Sequence, residues 1–504
     1  MRLKDYLVRK IWHEKMLNPV GVALLVGCVA ALAVLISLYG WIVGALAIVG
    51  LIAIPLLYAI IAYPKFGIIV LLIAAFFLFF ILRFGINFPL GTMMDALEWI
   101  LILGVLISYR NSPDSTIFKN PIAFIVAIWV GYTFLQVANP WAESRLAWLY
   151  TVRTVGAVTL MYFVFLYRIN SLAYLRLLTK VWVFLALIAA LYGYKQEYLG
   201  FAESEYQQLI NDPLMVGLLY IDGHWRKYSI FSDPVTFSYN MVMAFFICIS
   251  LVQARKSLAF NLLYVVIGVI CVSAMLFTGT RGAYVLIPAG LIMYFILRFD
   301  KRIMWLAGVS AFAMIILINI PTGNPTLYRF QSAFKPSDDA SFNVRAQNQK
   351  RIQPYILMHP FGGGLGATGV WGVRFAPYSY LASFPPDSGY MRIAVELGWV
   401  GLLIFCILIF MVLKTGIDNY FMIRSPELKS YCLAMTIVIF VLGIGSFPQE
   451  AIVQFPSNIL FYMAIAIIQI TLRLDTTLHS YARESVTSQV QLQTAKVEQN
   501  SKKS

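Results

Sequence analysis

Residues 321–397 read PTGNPTLYRFQSAFKPSDDASFNVRAQNQKRIQPYILMHPFGGGLGATGVWGVRFAPYSYLASFPPDSGYMRIAVEL, a polar interruption between two apolar runs. Three groups stand out within it: Asn343-Val344-Arg345, the run His359-Pro360-Phe361-Gly362-Gly363-Gly364-Leu365-Gly366, and Pro385-Pro386-Asp387-Ser388-Gly389-Tyr390. In a chain that is otherwise almost all apolar, a loop of this length with its own glycines and arginines is a working part rather than a tether. A disordered connector would lack aromatic residues. This one carries Trp371, Phe375, Tyr378, Tyr380 and Phe384.

The 504 residues are 60% hydrophobic and 12% charged, against a charged fraction of about 25% in soluble domains. The chain is therefore read as an all-α, polytopic integral membrane protein. Its net charge of +15 does not mark a nucleic-acid binder, because the basic residues fall mostly in short turns between apolar runs, where they set topology. The five cysteines lie inside apolar stretches without paired spacing, which indicates neither disulfides nor a metal site. The basic segment 1–18 precedes an apolar run without a small-residue cleavage site, so that run is expected to be a retained first span.

Apolar windows long enough to cross a bilayer predict about 14 transmembrane helices. They fall near 18–37, 41–62, 66–83, 90–109, 121–138, 150–167, 176–195, 235–253, 258–277, 281–298, 302–320, 390–413, 427–447 and 455–472. Arg2, Lys4, Arg9, Lys10 and Lys15 put the N-terminus in the cytoplasm. Lys65, Arg110 with Lys119, Arg168 with Arg176, Arg255 with Lys256, Arg298 with Lys301 and Arg302, and Lys414 with Arg424 then fall on the same side. The resulting plan is a bundle over 1–320 with an outer segment at 197–234, a large outer loop over 321–389 between helices 11 and 12, C-terminal spans over 390–472, and a cytoplasmic tail, 473–504, whose Ser, Thr, Gln and Lys suggest disorder. Function is expected to face outward.

On an outer face that should be poor in cations, the exceptions are informative, because a charge kept against its desolvation cost usually has a partner. Arg83, Arg145, Arg153, Arg226, Arg281, Arg345, Arg351, Arg374 and Arg392 are such exceptions. Thr278-Gly279-Thr280-Arg281-Gly282-Ala283 joins two spans by a turn so tight that Arg281 sits at the outer lipid boundary. Glycines on either side allow close backbone approach, and the guanidinium fork suits phosphate oxygens; snorkelling to lipid headgroups is the plainer reading. Helical spacing puts Arg345, Asn348 and Gln349 on one polar face, with Gln353 roughly in line, and the turn of glycines around Gly364 after His359 can aim N–H groups at an anion.

Asp387-Ser388-Gly389-Tyr390 precedes an apolar run as a helix N-terminus should, either as a plain cap or with Asp387 as acceptor of a proton from an attacking hydroxyl. Glu396 stands four residues after Arg392 and is placed to pair with it. Asp95 and Glu98 share one face of the fourth span and need a partner such as Arg153 or Arg281, in a structural pairing or in acceptor binding. In the other outer segment, Gly223 to Pro234 sets Arg226 beside an aromatic group suited to sugar.

Four stretches together resemble the O-antigen ligase and O-antigen polymerase superfamily. Thr280-Arg281-Gly282-Ala283 resembles its Ser-Arg-Gly motif, and Arg345 with the run from His359 to Gly366 resembles its second arginine and following His-Pro-x-x-Gly-x-Gly turn. Asp387 to Leu403, DSGYMRIAVELGWVGLL, is similar to its segment HNxYLxxxxExGxxGLL, and Arg226 to Pro234 is weakly similar to an outer arginine motif. The resemblance covers roughly 220–410 in the right order. It implies a multi-pass protein of the bacterial inner membrane with both termini cytoplasmic. It also implies transfer of a glycan from undecaprenyl diphosphate, at the periplasmic face and without a metal or other cofactor, to another glycan, lipid A core or a protein hydroxyl. By position, Arg281 and Arg345 would hold the diphosphate, with Arg226, His359, Gly364 and Tyr390 as further substrate-binding candidates and Asp95, Glu98 and Arg153 as secondary ones. Where the ligases carry a histidine regarded as the base, this chain has Asp387. Either Asp387 takes over that role, or orientation and leaving-group stabilisation do most of the work. The competing function is a transporter or flippase of lipid-linked glycan or a polar solute, which would also retain Asp95, Glu98 and Arg153; such proteins place charge near mid-bilayer on broken helices.

Overall fold

The computed structural model describes residues 18–39, 44, 51, 55–84, 90–111, 113–221, 223–252, 254, 257–299, 301–323, 325–334 and 340–501. They fall in two compact units, 1–67 and 68–504. The first contains α1 (Pro19–Tyr39). The second holds most of α2 (Pro64–Leu82) and, in order, α3 (Leu90–Asn111), α4 (Pro121–Leu135), α5 (Arg145–Arg168) and α6 (Leu172–Tyr198). The short α7 (Glu203–Asn211) and α8 (Pro213–Leu219) and a hairpin of β1 (Tyr220–Ile221) and β2 (His224–Trp225) follow. Then come α9 (Pro234–Leu251), α10 (Leu258–Leu276), α11 (Arg281–Leu297), α12 (Lys301–Asn319), α13 (Pro325–Ser332), α14 (Ala340–Met358), α15 (Gly369–Phe375), α16 (Gly389–Met422), α17 (Pro426–Gly445) and α18 (Ser457–Ser501).

Among the described residues ten helices are long and apolar enough to cross a membrane, and α11 is a shorter apolar helix. The protein is thus all-α and multi-pass. Helix α12 stands where the span at 302–320 was expected. The expected span at 41–62 lies mostly outside the described residues, as do the N-terminal basic residues and the Arg255–Lys256 pair. The expected disordered tail differs: α18 continues to Ser501.

Helices α9 and α17 and residues 457–475 of α18 are largely buried and form the centre. Around them α5 packs on α18, α11 on α17, and α10 and α6 on α9, while α4 packs on α16. Lipid tails are as apolar as leucine, so association relies on close fit, and glycines supply it. A Cβ on Gly290 would lie 2.2 Å from Phe246 Cζ, one on Gly193 2.6 Å from Phe237 Cζ, and one on Gly416 2.4 Å from Thr436 Oγ1. The basic end of the bundle is locked by paired charges and caps. Arg176 grips Glu427 in a two-pronged pair at 2.6 and 2.5 Å. Asp475 accepts from Arg424 N at 3.0 Å and Ser425 N at 2.9 Å, and Arg473 donates to the carbonyls of Leu166 and Ile169 at the end of α5.

The opposite end carries the feature that positions the site. Helix α16 is expected to be one continuous span, but it breaks at Gly398, whose φ of 73° and ψ of −178° are not helical. In a straight helix Tyr390 and Ile409 would be about 28 Å apart. Here Tyr390 Oη and Ile409 Cγ2 lie 3.7 and 3.6 Å from the place a Cβ on Gly443 would occupy. Residues 389–397 therefore form a half-helix folded against the continuing span. The break frees backbone groups that an apolar surround cannot satisfy. Tyr132 Oη donates to the Leu397 carbonyl at 2.6 Å, and the turn at 360–364 supplies the rest: Gly363 N donates to Val395 O at 2.9 Å, Gly364 N to Glu396 O at 2.9 Å, and Pro360 O accepts from Val400 N at 3.3 Å.

Two substitutions test this packing through the melting temperature of detergent-purified protein. Gly290→Ala is expected to cost on the order of 1–3 kcal/mol by overpacking, with Phe246→Leu in the same background restoring most of it. Gly398→Ala is expected to be worse. A Cβ there would sit 2.0 Å from Pro360 O on a backbone at φ 73°, which adds about 1–2 kcal/mol for the left-handed conformation alone.

Candidate functional site

The turn before α11 is as tight as its sequence requires. Gly279 adopts a φ of 58°, and a Cβ there would approach Arg329 Nη1 at 3.0 Å; on Gly282 it would meet Tyr239 Oη at 3.2 Å. Arg281 is the first residue of α11, directly after the cap position Thr280. The turn is braced from the 197–234 segment. Arg226 donates through Nε to Thr278 O at 2.8 Å and through Nη2 to Thr280 Oγ1 at 3.1 Å. Burial, and then the charge of Arg329, pull the Arg226 pKa down to about 10, and Arg281 adds to the effect. Three guanidinium groups thus crowd this corner.

Arg345 comes from a distant part of the chain. Residues 340–358 are helical, as the spacing of Arg345, Asn348 and Gln349 predicts. Helix α14 docks on the half-helix through Ile352, which is wholly buried with Leu381, Phe384 and Val395. That docking brings Arg345 and Arg281 into one cavity of about 640 Å³. Ser332 and Ala333 follow Arg329 along its rim, and Leu286, Ile409, Leu413 and Phe440 form apolar walls. Tyr390 lines the same cavity, its hydroxyl tied to Gly443 O at 2.9 Å.

Asp387 stands two residues before the half-helix. Ser388 is the cap, its hydroxyl accepting from Met391 N and donating to Ser446 O. The Asp387 carboxylate is thereby spared for another use: Oδ2 accepts from Asn348 Nδ2 at 3.2 Å. One turn of α14 separates Asn348 from Arg345, so the carboxylate and the arginine are fixed by the same helix.

The glycine run does hold an anion, but that anion is the protein's own Glu396. Gly366 N donates to Glu396 Oε2 at 3.0 Å and Thr368 N to Oε1 at 3.3 Å, with the Thr368 hydroxyl also on Oε1. Gly364, at φ 100°, packs where a Cβ would lie 2.6 Å from that of Ala142. Gly363, Gly364 and Gly366 therefore spend their N–H groups on the half-helix instead of a ligand. Arg392 completes the arrangement, reaching Glu396 at 3.3 Å as its spacing suggests and Glu450 at 2.9 Å. Burial raises the Glu450 pKa, an effect that Arg392 partly offsets. His359 is not brought to the two arginines: its Nδ1 is 2.8 Å from Tyr355 O, and its ring stacks on Tyr355 at 3.9 Å and meets Trp141 edge-on.

Asp95 pairs with Arg153 at 2.7 Å, across α3 and α5, while Glu98 is fully buried beside it. Neither carboxylate lines the arginine cavity. The aromatic residues of the 197–234 segment pack on one another, Trp225 against Phe201, Tyr206 and Tyr220. Sequence reasoning passed over Arg329 and Glu450, although the rule that selected the other outer cations applies to Arg329 unchanged.

Comparison with known families fits this geometry. Residues 266–406 match the O-antigen ligase family, a segment that contains both cavity arginines, the glycine turn, Asp387 and the broken helix. No curated protein matches the chain. The two arginine motifs and the turn that seats Glu396 all lie within this matched segment, so residues 266–406 are similar to the O-antigen ligase family in sequence and carry the groups that shape the cavity.

Proposed function

We propose that this membrane protein transfers glycan from an undecaprenyl-diphosphate-linked donor to an acceptor hydroxyl at the periplasmic face of the bacterial inner membrane. Ligase-like glycan transfer follows from the family; the donor, the face and the residue roles are our reading. The observation that carries it is the cavity of about 640 Å³ in which Arg281 and Arg345 share space with Leu286, Ile409, Leu413 and Phe440. Cationic groups and apolar walls in one cavity are complementary to a lipid whose head is a diphosphate.

In this reading the acceptor oxygen attacks the anomeric carbon while its proton passes to Asp387. The bond from that carbon to the phosphate oxygen breaks, and the lipid diphosphate leaves with its charge held by Arg281 and Arg345. Guanidinium groups fixed before the reaction stabilise the developing charge without reorganising. Asn348, 3.2 Å from Asp387 Oδ2, keeps the carboxylate on the side of α14 that carries Arg345. Arg226 and Arg329 both stand at the turn, and both enlarge the positive field that draws the donor in.

The test uses purified protein, lipid-linked donor and radiolabelled acceptor, with surface glycan read in parallel on gels. Arg281→Ala and Arg345→Ala are each expected to lower transfer by roughly 10²–10³-fold, the usual effect of removing one preorganised charge-stabilising group. Asp387→Asn is expected to lower it by about 10²–10⁴-fold with the donor KM little changed. Full transfer by Arg281→Ala at equal protein abundance overturns the proposal.

A further inference from the structure

The half-helix has a second lined face. Gly389, Arg392, Ile393 and Glu396 recur at helical spacing and border another cavity, of about 260 Å³. Tyr390 borders the arginine cavity, and the facing chain alternates likewise, with Ser446 on one side and Phe447 on the other. Gly389 N donates to Ser446 O at 2.9 Å, so the partition between the cavities is a single layer of peptide.

The two cavities differ in charge. Against the paired arginines of the first, the second presents one cation, Arg392, between Glu396 and Glu450. That balance disfavours a diphosphate and tolerates an uncharged polyol. Thr154, Asn458 and Tyr462 add hydroxyl and amide groups over a floor that includes Trp129, Val158 and Phe405. Trp371 borders the cavity too, and with Tyr150 at 4.8 Å and Phe375 at 5.9 Å it makes an aromatic cluster. Aromatic faces of this kind receive the C–H face of a sugar ring while nearby polar groups fix its hydroxyls. The volume is just below the ~300–1,000 Å³ of ordinary ligand sites, which suits one pyranose ring better than a branched oligosaccharide.

We infer that this second cavity binds an uncharged sugar ring of the acceptor, held beside the partition that separates it from the arginine cavity. The inference rests on the donor reading of the arginine cavity, but its binding test does not need donor turnover. Saturation-transfer NMR on the full chain in detergent, with methyl hexopyranosides as probes, is expected to show contact with the wild type and with Arg281→Ala. Signal should fall roughly tenfold, equivalent to 1.4 kcal/mol, in Val158→Trp, which fills the cavity. Trp371→Ala, at its border, removes the stacking surface without filling the interior and should lose signal similarly.

No contact in the wild type, as a resident lipid chain would give, overturns the inference. So does equal contact in both cavity variants, or displacement of the glycosides by inorganic pyrophosphate, which would put them in the arginine cavity. Failure of the donor reading shows separately, as full transfer by Arg281→Ala in the lipid-linked assay.

Discussion

A helix broken in an apolar surround must find new partners for the backbone groups it releases, and the site of this protein is built on how that need is met. At Gly398 the chain turns by a conformation open only to glycine, and the turn at 360–364 fits so closely that a Cβ at Gly362 would be 2.4 Å from Gly398 N. The Glu396 carboxylate is then enclosed by N–H groups of Gly366 and Thr368, just beyond that turn. Burying a carboxylate is costly unless its oxygens are bonded and its charge paired. Here Gly366, Thr368 and Arg392 meet both conditions. Breaking the helix and seating the carboxylate are one structural event, since each supplies what the other lacks.

The half-helix this creates explains how groups so distant in the chain act together. It offers a buried surface, including Val395, on which α14 docks, and α14 carries Arg345 and Asn348 to Arg281 and Asp387. A continuous span would have carried Tyr390 far from Ile409 and left no floor between two cavities. The same short element thus helps set the two arginines in one cavity and divides the space beside it from a second.

Much of this was legible in the sequence. The polar stretch between apolar runs, the tightness of the turn that carries Arg281, and the helix that sets Arg345, Asn348 and Gln349 on one face each follow from local spacing. What was hidden depends on contacts across the chain. The segment from Gly389 to Leu403 reads as one span because hydropathy does not register a single positive φ. The glycine run reads as a turn that aims N–H groups at a bound anion, and nothing local says that they are taken up instead by Glu396, thirty residues beyond Gly366. Composition also suggested disorder after residue 473, whereas the helix there continues.

The brace from Arg226 has an evolutionary consequence. It ties the carbonyl of Thr278 and the hydroxyl of Thr280 to a segment that precedes the family-matched region. Recombination that swapped residues 266–406 between relatives would separate the Arg281 turn from its support, unless the counterpart of residues 197–234 came with it. The heritable unit is therefore larger than the stretch by which kinship is recognised, and drift in the two parts should be correlated.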